Sequence, residues 1–248
     1  MKVLITGAGG KLGSEIAKLF VAPLVPKRDE LDVADKRSVY SYVLAHKPDV
    51  IIHLAALTGI PPCETNRELA WRTNVDGTRH LIDACYEANK DCYFLYMSTP
   101  CVFDGKKEIY DENDIPYPEH FYGLTKLMGE VIVDAHQLKD KAVIRGNFVQ
   151  KAKWPHQGAF EDRFGTYLFA HDLAGAIKEV VDARFTGLLH ITGDKKMSMH
   201  DLAKLCPESG GVKPISYEGY LKNGGFKLTK NMSLDTIHGE WKRFKISE

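Results

Sequence analysis

The chain has 248 residues, of which 44% are apolar and 27% are charged, a composition typical of soluble globular proteins. Lys and Arg together number 33, as do Asp and Glu, so the formal net charge is zero. This balance argues against nucleic acid as a partner, because broad electrostatic binding requires an excess of basic residues. No apolar stretch is long enough to span a membrane. The five cysteines include no Cys-x-x-Cys pair, which argues against a metal site or a disulfide framework and favours a reducing, cytoplasmic location.

Short apolar runs alternate with helical patterns along the first part of the chain. Strands are predicted at 3–6, 23–26, 49–55, 92–98 and 142–145, and helices at 11–20, 38–46, 66–89 and 122–137. Such alternation predicts an α/β fold with a doubly wound parallel sheet that helices cover on both faces. The pattern then becomes less regular, with a loop expected at 151–165, helices at 172–182 and 198–206, and a strand at 188–192.

A glycine-rich turn follows the first predicted strand, with glycines at positions 7, 10 and 13. In dinucleotide-binding folds the first such glycine allows a tight turn, the second lets the backbone approach the pyrophosphate, and the third permits close helix–strand packing. The turn therefore predicts a Rossmann-type core in residues 1–150 that binds NAD(P). Residues 151–248 are expected to complete this core and to form a small C-terminal substrate-binding lobe. The cofactor contacts predicted in the turn are Gly7, Gly9, Gly10, Lys11, Leu12 and Gly13.

The stretch after the second predicted strand bears on the choice between NADP and NAD. Rossmann proteins that prefer NAD usually have an acidic residue there, which binds the ribose 2′-hydroxyl. In this chain Lys27 and Arg28 occupy that stretch, and cations suit a 2′-phosphate. NADP is therefore the expected cofactor. NAD is the alternative, in which the two cations form a solvated turn and Asp29 binds the ribose.

Tyr122 and Lys126 lie four residues apart at the start of a predicted helix, so that both side chains can point into one cleft. A neighbouring ammonium is expected to lower the pKa of the tyrosine, which could then give a proton to a carbonyl oxygen as hydride reaches the carbon. Ser98 and Thr99 end the preceding predicted strand, at the edge of the sheet where ligands bind. The alternatives are an exposed helix face for the pair and a cap for the hydroxyls.

Eight stretches, in order along the chain, match one known family pattern. They are TGAGGKLG (6–13), ELDVAD (30–35), KPDVIIHLAALT (47–58), NVDGT (74–78), STPCVFDG (98–105), YGLTKLMGE (122–130), FEDRFGTYLFAHDLAGAI (160–177) and NMSLD (231–235). The chain thus resembles the extended short-chain dehydrogenase/reductases, and within them the dTDP-4-dehydrorhamnose reductase family. This resemblance implies NADPH- or NADH-dependent reduction of the C4 ketone of a nucleotide-linked 4-keto-6-deoxy sugar, in a family whose members are often dimers.

The same resemblance implies roles for individual residues. Thr99, Tyr122 and Lys126 would form the catalytic triad, and Lys126 would also hold the nicotinamide ribose. Asp32 and Val33 would flank the adenine, and Asn74 would support the helix that organises the site. The remaining implied cofactor contacts are Leu54, Ala55, Ala56 and Asn147. The implied substrate contacts are Thr58, Thr99, Cys101, Phe103, Phe148 and Lys230.

Two departures from the family pattern leave the substrate open. Pro100 and Cys101 replace the Asp and Tyr of the usual Ser-Thr-Asp-Tyr-Val-Phe, and the segment between Phe148 and Phe160 is short. In the similar GDP-fucose synthase family, a cysteine two residues after the catalytic hydroxyl exchanges protons beside the ketone. One alternative is therefore a bifunctional 3,5-epimerase/4-reductase that uses Cys101, whereas the simpler role for this residue is apolar packing. The predicted partner bases for the thiol are Lys151, Lys153 or His156.

A second alternative is a non-catalytic, NADP-binding regulatory subunit. The beta subunit of methionine adenosyltransferase has a similar fold and supports a partner enzyme. The short segment after Phe148 favours this alternative, whereas the presence of Thr99, Tyr122 and Lys126 argues against it, because a scaffold does not require them.

Overall fold

The computed structural model describes residues 1–241 and 244–247 of the chain. Its strands are β1 (Val3–Thr6), β2 (Val50–His53), β3 (Tyr93–Ser98), β4 (Lys141–Gly146), β5 (Phe148–Val149), β6 (Gly158–Phe160), β7 (Phe164–Gly165), β8 (Leu168–Phe169), β9 (Gly187–Ile191), β10 (Met197–Ser198), β11 (Lys213–Ile215) and β12 (Asn231–Met232). Its α-helices are α1 (Lys11–Ala17), α2 (Lys36–His46), α3 (Ile60–Thr65), α4 (Arg67–Trp71), α5 (Gly77–Ala88), α6 (Phe121–Ala135), α7 (Ala170–Ala183), α8 (Met199–Lys204) and α9 (Tyr217–Lys222).

A parallel sheet in the order β1-β2-β3-β4-β9 forms the centre of the molecule. Successive residues of a strand face opposite sides, so that each strand contributes to two apolar clusters. On one side Val3 and Ile5 pack with α1 and α7, and on the other Leu4 packs with α2, α5 and α6. Helices therefore cover both faces of a parallel sheet, which confirms the predicted Rossmann-type α/β fold.

The predicted strand at 23–26 is reduced to a single residue pair, Leu24 beside Leu4. Leu24 exchanges backbone hydrogen bonds with Val3 and Ile5, at 2.8 and 2.9 Å. Pro23 and Pro26 flank it, and because proline has no backbone N–H it cannot extend such a ladder. The first predicted helix is also shorter than expected, since α1 ends at residue 17.

The predicted continuous helix at 66–89 is divided into α4, a π-helical turn (Arg72–Asp76) and α5. The predicted loop at 151–165 contains β6 and β7; β6 pairs with β11, and β7 pairs with β10 and β12. These pairings are distant in sequence, which explains why local patterns did not indicate them. The π-helical turn has a consequence for the site, because it carries Asn74.

The chain beyond residue 150 divides between the two parts of the molecule. β9 completes the central sheet and α7 packs against α1. The short strands β6, β7, β10, β11 and β12, together with α8, lie around a separate apolar cluster that includes Cys101, Trp154, Tyr167 and Met232. None of the helices within residues 1–241 and 244–247 is both long and apolar enough to cross a membrane.

Candidate active site

The glycine turn between β1 and α1 is tightly packed on one side and open on the other. Gly7 has φ +73°, and its carbonyl accepts a 2.9 Å hydrogen bond from Gly10 N. A Cβ on Gly7 would lie 2.8 Å from Ala55 N, and one on Gly13 would lie 2.4 Å from the Gly7 oxygen. A Cβ on Gly9 would meet no atom within 4 Å. The protein's own packing therefore requires glycine at 7 and 13, whereas Gly9 faces open space.

A buried hydrogen-bonded chain fixes the backbone that follows β2. Thr6 Oγ1 lies 2.8 Å from His53 Nδ1, and His53 Nε2 lies 3.1 Å from Thr78 Oγ1. Thr6 Oγ1 also accepts a 3.3 Å hydrogen bond from Ala55 N, which holds the predicted cofactor-binding segment Leu54–Ala56 beside the glycine turn. Burial lowers the pKa of His53 to about 3, with Lys126 acting in the same direction, so that the ring is neutral at physiological pH. The sequence analysis did not identify His53.

Asn74 joins this segment to helix α6. Its Oδ1 accepts from Leu57 N at 2.7 Å, and its Nδ2 donates to Leu57 O at 3.0 Å and to Thr125 Oγ1 at 2.9 Å. Asn74 is buried and lies on the π-helical turn, a feature that is frequent at functional sites. It therefore connects the segment after β2 to the helix that carries Tyr122 and Lys126, the role that the family resemblance implies. Both polar atoms of the Asn74 side chain are hydrogen-bonded to protein groups.

Close packing brings the start of α6 to the end of β3. His120 is the N-cap of α6, and its Nδ1 accepts a 3.0 Å hydrogen bond from Gly123 N. A Cβ on Gly123 would lie 2.2 Å from the carbonyl oxygen of Cys101, so only glycine allows this approach. As a result the half-buried Tyr122 lies beside the hydroxyl of Thr99, which is close enough to lower the pKa of the phenol.

Burial nevertheless dominates the electrostatics of both Tyr122 and Lys126. Burial raises the pKa of Tyr122 above its usual value, the thiols of Cys101 and Cys63 add to this effect, and Thr99 opposes it. The expected lowering of the Tyr122 pKa is therefore wrong, because burial disfavours the charged phenolate. Burial also lowers the pKa of Lys126 to about 7, against the opposing effects of Glu130 and Cys63. A phenol that stays protonated at neutral pH is the form that a proton donor requires.

Cys101 lies at the edge of the site, in the cluster that contains Tyr122 and Met232. Its thiol is buried, with Sγ 3.8 Å from the sulfur of Met232. Its three predicted partner bases make contacts elsewhere: Lys151 Nζ donates to Ser247 O at 3.1 Å, Lys153 Nζ lies 3.9 Å from Glu208, and the exposed His156 lies against the Trp154 ring.

The predicted substrate contacts do not all lie in one place. Phe103 is fully buried and stacks on Tyr110, with ring centroids 4.2 Å apart, so the structure places its ring in the core. Thr58 is exposed, and Phe148 is half-buried against the central core. Asn147, predicted as a cofactor contact, has its Nδ2 3.9 Å from the sulfur of Met232. Lys230 is exposed and lines a surface pocket of about 420 Å³, whose other lining residues are Asp104, Gly105, Lys106, Glu119, Tyr217, Lys227 and Leu228.

The predicted 2′-phosphate site lies on an exposed turn. Lys27 and Arg28 are both exposed, and Arg28 Nε lies 3.3 Å from Asp32 Oδ2. Asp32 Oδ1 also accepts a 3.0 Å hydrogen bond from Ala34 N. Val33 is buried against Gly77. The Arg28–Asp32 ion pair is solvent-exposed and therefore weak, so that Arg28 is free to turn towards an anion.

Two acidic or thiol groups near Lys126 were not identified from the sequence. Cys63 is buried on α3, its thiol donates to Leu57 O at 3.3 Å, and burial raises its pKa to about 11. Glu130 follows Lys126 by four residues and so lies on the same face of α6. Its carboxylate accepts from Arg145 Nη2 at 2.6 Å and Nε at 3.0 Å, and from the Ser98 hydroxyl. The spacing of Glu130 from Lys126 was the available signal; a lone cysteine offers none.

The parallel sheet and the glycine turn together define a Rossmann-type dinucleotide-binding fold, in which Tyr122 at the start of α6 lies beside Thr99 at the carboxyl end of β3. The sequence model of the family described as "RmlD substrate binding domain" matches residues 1–222. The chain belongs to this family.

Named relatives agree with this assignment. A dTDP-4-dehydrorhamnose reductase of Aggregatibacter actinomycetemcomitans is 31% identical over 229 residues, covering 82% of this chain and 76% of the relative. A crystal structure of dTDP-4-dehydrorhamnose reductase from Bacillus anthracis in complex with NADP has a TM-score of 0.84 and 25% identity, covering 95% of this chain and 91% of that one. A methionine adenosyltransferase 2 subunit beta of Bos taurus is 29% identical over 237 residues, covering 82% of this chain and 70% of the relative.

Proposed function

We propose that the protein is an NADPH-dependent reductase of the C4 ketone of a nucleotide-linked 4-keto-6-deoxy sugar. The observation that carries this proposal is the grouping of Thr99, Tyr122 and Lys126 at the carboxyl end of β3. Tyr122 lies beside the Thr99 hydroxyl, and Lys126 is buried one helical turn further along α6. The sugar-nucleotide substrate class is supported by the relatives that are named as dTDP-sugar reductases.

The turn between β1 and α1 fits a dinucleotide. Packing against Ala55 and within the turn itself leaves no room for a Cβ at Gly7 or Gly13, so the turn stays tight. The open side at Gly9 leaves room for a pyrophosphate to approach the backbone. The exposed Lys27 and Arg28 would hold a 2′-phosphate, which favours NADP over NAD. NADPH, when bound, supplies the hydride that reaches the carbonyl carbon.

The chain's own residues would supply the proton and the polar contacts. The Thr99 hydroxyl donates a hydrogen bond to the carbonyl oxygen and so orients it beside the Tyr122 phenol. Tyr122 donates its proton to this oxygen, so that C=O becomes CH–OH and the phenolate remains on the enzyme. The buried Lys126 ammonium, in the same site, stabilises that phenolate. Electrostatic attraction between the two charges is stronger in the buried site than in water.

Replacement of Tyr122 by Phe tests the proposal directly. Tyr122→Phe removes the proton donor, and general acid catalysis contributes about 10²–10⁴-fold, so NADPH oxidation with a dTDP-4-keto-6-deoxy sugar should fall by that factor while NADPH affinity is unchanged. Tyr117→Phe is the matched control, because Tyr117 is exposed and lies outside the site. A Tyr122→Phe enzyme that turns over within threefold of wild type would refute the proposed role.

The similarity to the beta subunit of methionine adenosyltransferase favours a second candidate, a regulatory subunit that binds NADP without turning it over. The two candidates differ in one observable. A regulatory subunit would bind NADPH but would not oxidise it with any dTDP-4-keto sugar. Tyr122→Phe would then change neither NADPH binding nor NADPH oxidation.

The assembly and location of the protein are proposals as well. We infer a homodimer from the family resemblance, to be measured by analytical ultracentrifugation. We infer a cytoplasmic location from the five cysteines, all of which are free and buried. Fractionation of the native cells checks the location.

A further inference from the structure

The catalytic lysine contacts an aromatic ring beneath the site. Lys126 Nζ lies 4.0 Å from the centroid of the Tyr96 ring. Lys126 is 4% exposed and Tyr96 is 1% exposed, so the contact is shielded from water. A cation over the face of an aromatic ring is attracted by its quadrupole, and the attraction grows as water is excluded.

The surrounding packing is arranged around this contact. Tyr96 lies on the face of β3 that points towards α6, and its hydroxyl donates to the carbonyl oxygen of Lys126 at 3.4 Å. A Cβ on Gly129 would lie 2.1 Å from the Tyr96 hydroxyl oxygen, so the ring fits beneath α6 only because residue 129 is glycine. The position of the ring relative to Lys126 is therefore set by backbone geometry on both elements.

Glu130 and Cys63 also raise the pKa of Lys126, but their polar atoms are hydrogen-bonded to other groups. Glu130 is on the same helix, but Arg145 and Ser98 bind its carboxylate. His53, from β2, is neutral, because burial holds its pKa at about 3. The Cys63 thiol, from α3, donates to Leu57 O. The Tyr96 ring, in contrast, lies directly against the ammonium. Tyr122 is the remaining titratable neighbour, on the preceding turn of α6.

We propose that Tyr96 is a positioning residue for the reaction, whose ring holds the Lys126 ammonium in place and protonated while leaving its N–H donors directed towards the reacting groups. A ring suits this task because it stabilises the cation without accepting its hydrogen bonds. An acidic residue in the same place would form an ion pair and take up those donors. This role of Tyr96 extends the proposed reductase function. Only the kcat/KM measurement described below rests on that function.

Stepwise fluorination of the ring at position 96 tests the proposal, because it weakens the negative face of the ring while largely preserving the shape of the ring. The series is Tyr96→Phe followed by 4-fluoro- and 3,4,5-trifluorophenylalanine at position 96, each of which weakens the ring's negative face further. NMR of ¹³Cε-labelled lysine measures the pKa of Lys126, and Lys126→Met assigns its signal. Loss of a cation–π contact corresponds to about 0.4–1.5 pH units, so the Lys126 pKa should fall stepwise within that range.

The matched control places the same fluorinated residues at position 94. Phe94 is fully buried on the same face of β3, two residues before Tyr96, and in the same apolar cluster. Fluorination there should leave the Lys126 pKa unchanged. Tyr96→Leu and Phe94→Leu form a second pair, in which both variants lose a ring and only the first should lower the Lys126 pKa.

The catalytic arm is the pH dependence of kcat/KM, which reports groups in the free enzyme. Activity falls as the pH rises through the Lys126 pKa, so this fall should move to lower pH by the shift that NMR measures. Equal Lys126 pKa values across the position-96 series would overturn the proposal. So would a shifted pKa with an unshifted kcat/KM profile. Failure of the reductase function itself is distinct, because the wild type would then lack activity while the NMR series remained measurable.

Discussion

An ion pair between Arg145 and Glu130 lies in the protein interior, directly behind the site. The two side chains are 3% and 8% exposed, and Arg145 Nη2 lies 2.6 Å from Glu130 Oε2. Arg145 Nε donates to the other carboxylate oxygen at 3.0 Å, and its Nη1 lies 3.3 Å from His190 Nε2. The guanidinium also lies over the ring of Phe103, 5.0 Å from its centroid. Arg145 thus neutralises the carboxylate and fills space beside it.

Replacing Arg145 by Met keeps much of the volume but leaves Glu130 buried without the cation that is hydrogen-bonded to its carboxylate. Removing one partner of a buried ion pair costs about 3–5 kcal/mol of unfolding free energy, because the remaining charge is not compensated. For a chain of this length each kcal/mol corresponds to about 2–4 °C in Tm, so Arg145→Met should lower Tm by roughly 6–20 °C. The hydrogen bond from Ser98 to Glu130 is expected to persist but is too weak to offset this loss.

Urea denaturation and thermal unfolding measure the effect against a surface pair of the same chemistry. Arg184 Nη2 lies 2.5 Å from Asp140 Oδ2, and these side chains are 42% and 41% exposed. Arg184→Met should cost less than about 1 kcal/mol, because solvent screens an exposed pair. The double variant Arg145→Met/Glu130→Leu should recover much of the loss, since it removes the buried charge as well.

Two results would refute this reasoning. One is an Arg145→Met protein that loses no more stability than Arg184→Met, which would mean that the buried carboxylate does not need its partner. The other is a double variant that is less stable than Arg145→Met alone, which would mean that packing and not charge determines the cost.

Three further predictions concern the glycine turn, the cofactor and Cys101. Gly13→Ala should destabilise the protein by about 1–3 kcal/mol in urea denaturation, since its Cβ would lie 2.4 Å from the Gly7 oxygen, whereas Gly9→Ala, whose Cβ meets nothing within 4 Å, should be nearly neutral. Lys27→Ala/Arg28→Ala should weaken NADP binding in calorimetry by about tenfold or more and leave NAD binding unchanged; equal NADP affinity in the variant would contradict the assignment. Reduction in D₂O should place no deuterium at C3 or C5, because the Cys101 thiol packs against Met232; incorporation that Cys101→Ser abolishes would instead establish the epimerase.

Local patterns were sufficient to predict the strands of the central sheet and the pairing of Tyr122 with Lys126 on one helix. The strand and helix positions around β1, β3 and α6 follow from apolar periodicity, which depends on neighbouring residues only. The same is true of Tyr122 and Lys126, whose spacing places them on one helix face. Family membership, which the sequence motifs indicated, is confirmed by the match over residues 1–222.

Local patterns failed where the outcome depended on distant residues. Phe103 lies a few residues after β3 and was predicted to contact the substrate. The structure instead packs its ring against Tyr110 and Arg145 in the core. The sign of the Tyr122 pKa shift was wrong because the i, i+4 spacing shows which charge is near and does not show how deeply the phenol is buried.

The sequence by itself determined the alternating α/β order, the glycine turn and the residues able to donate a proton, because each of these depends on chemistry within about a dozen neighbouring positions. Only the tertiary structure decided what surrounds those residues. It placed the Tyr96 ring beneath Lys126, set Arg145 against Glu130 and buried Cys63, on α3, near Lys126. These contacts join residues at least 15 positions apart in the sequence. Burial, which controls the charge on each group, is a property of the packed chain.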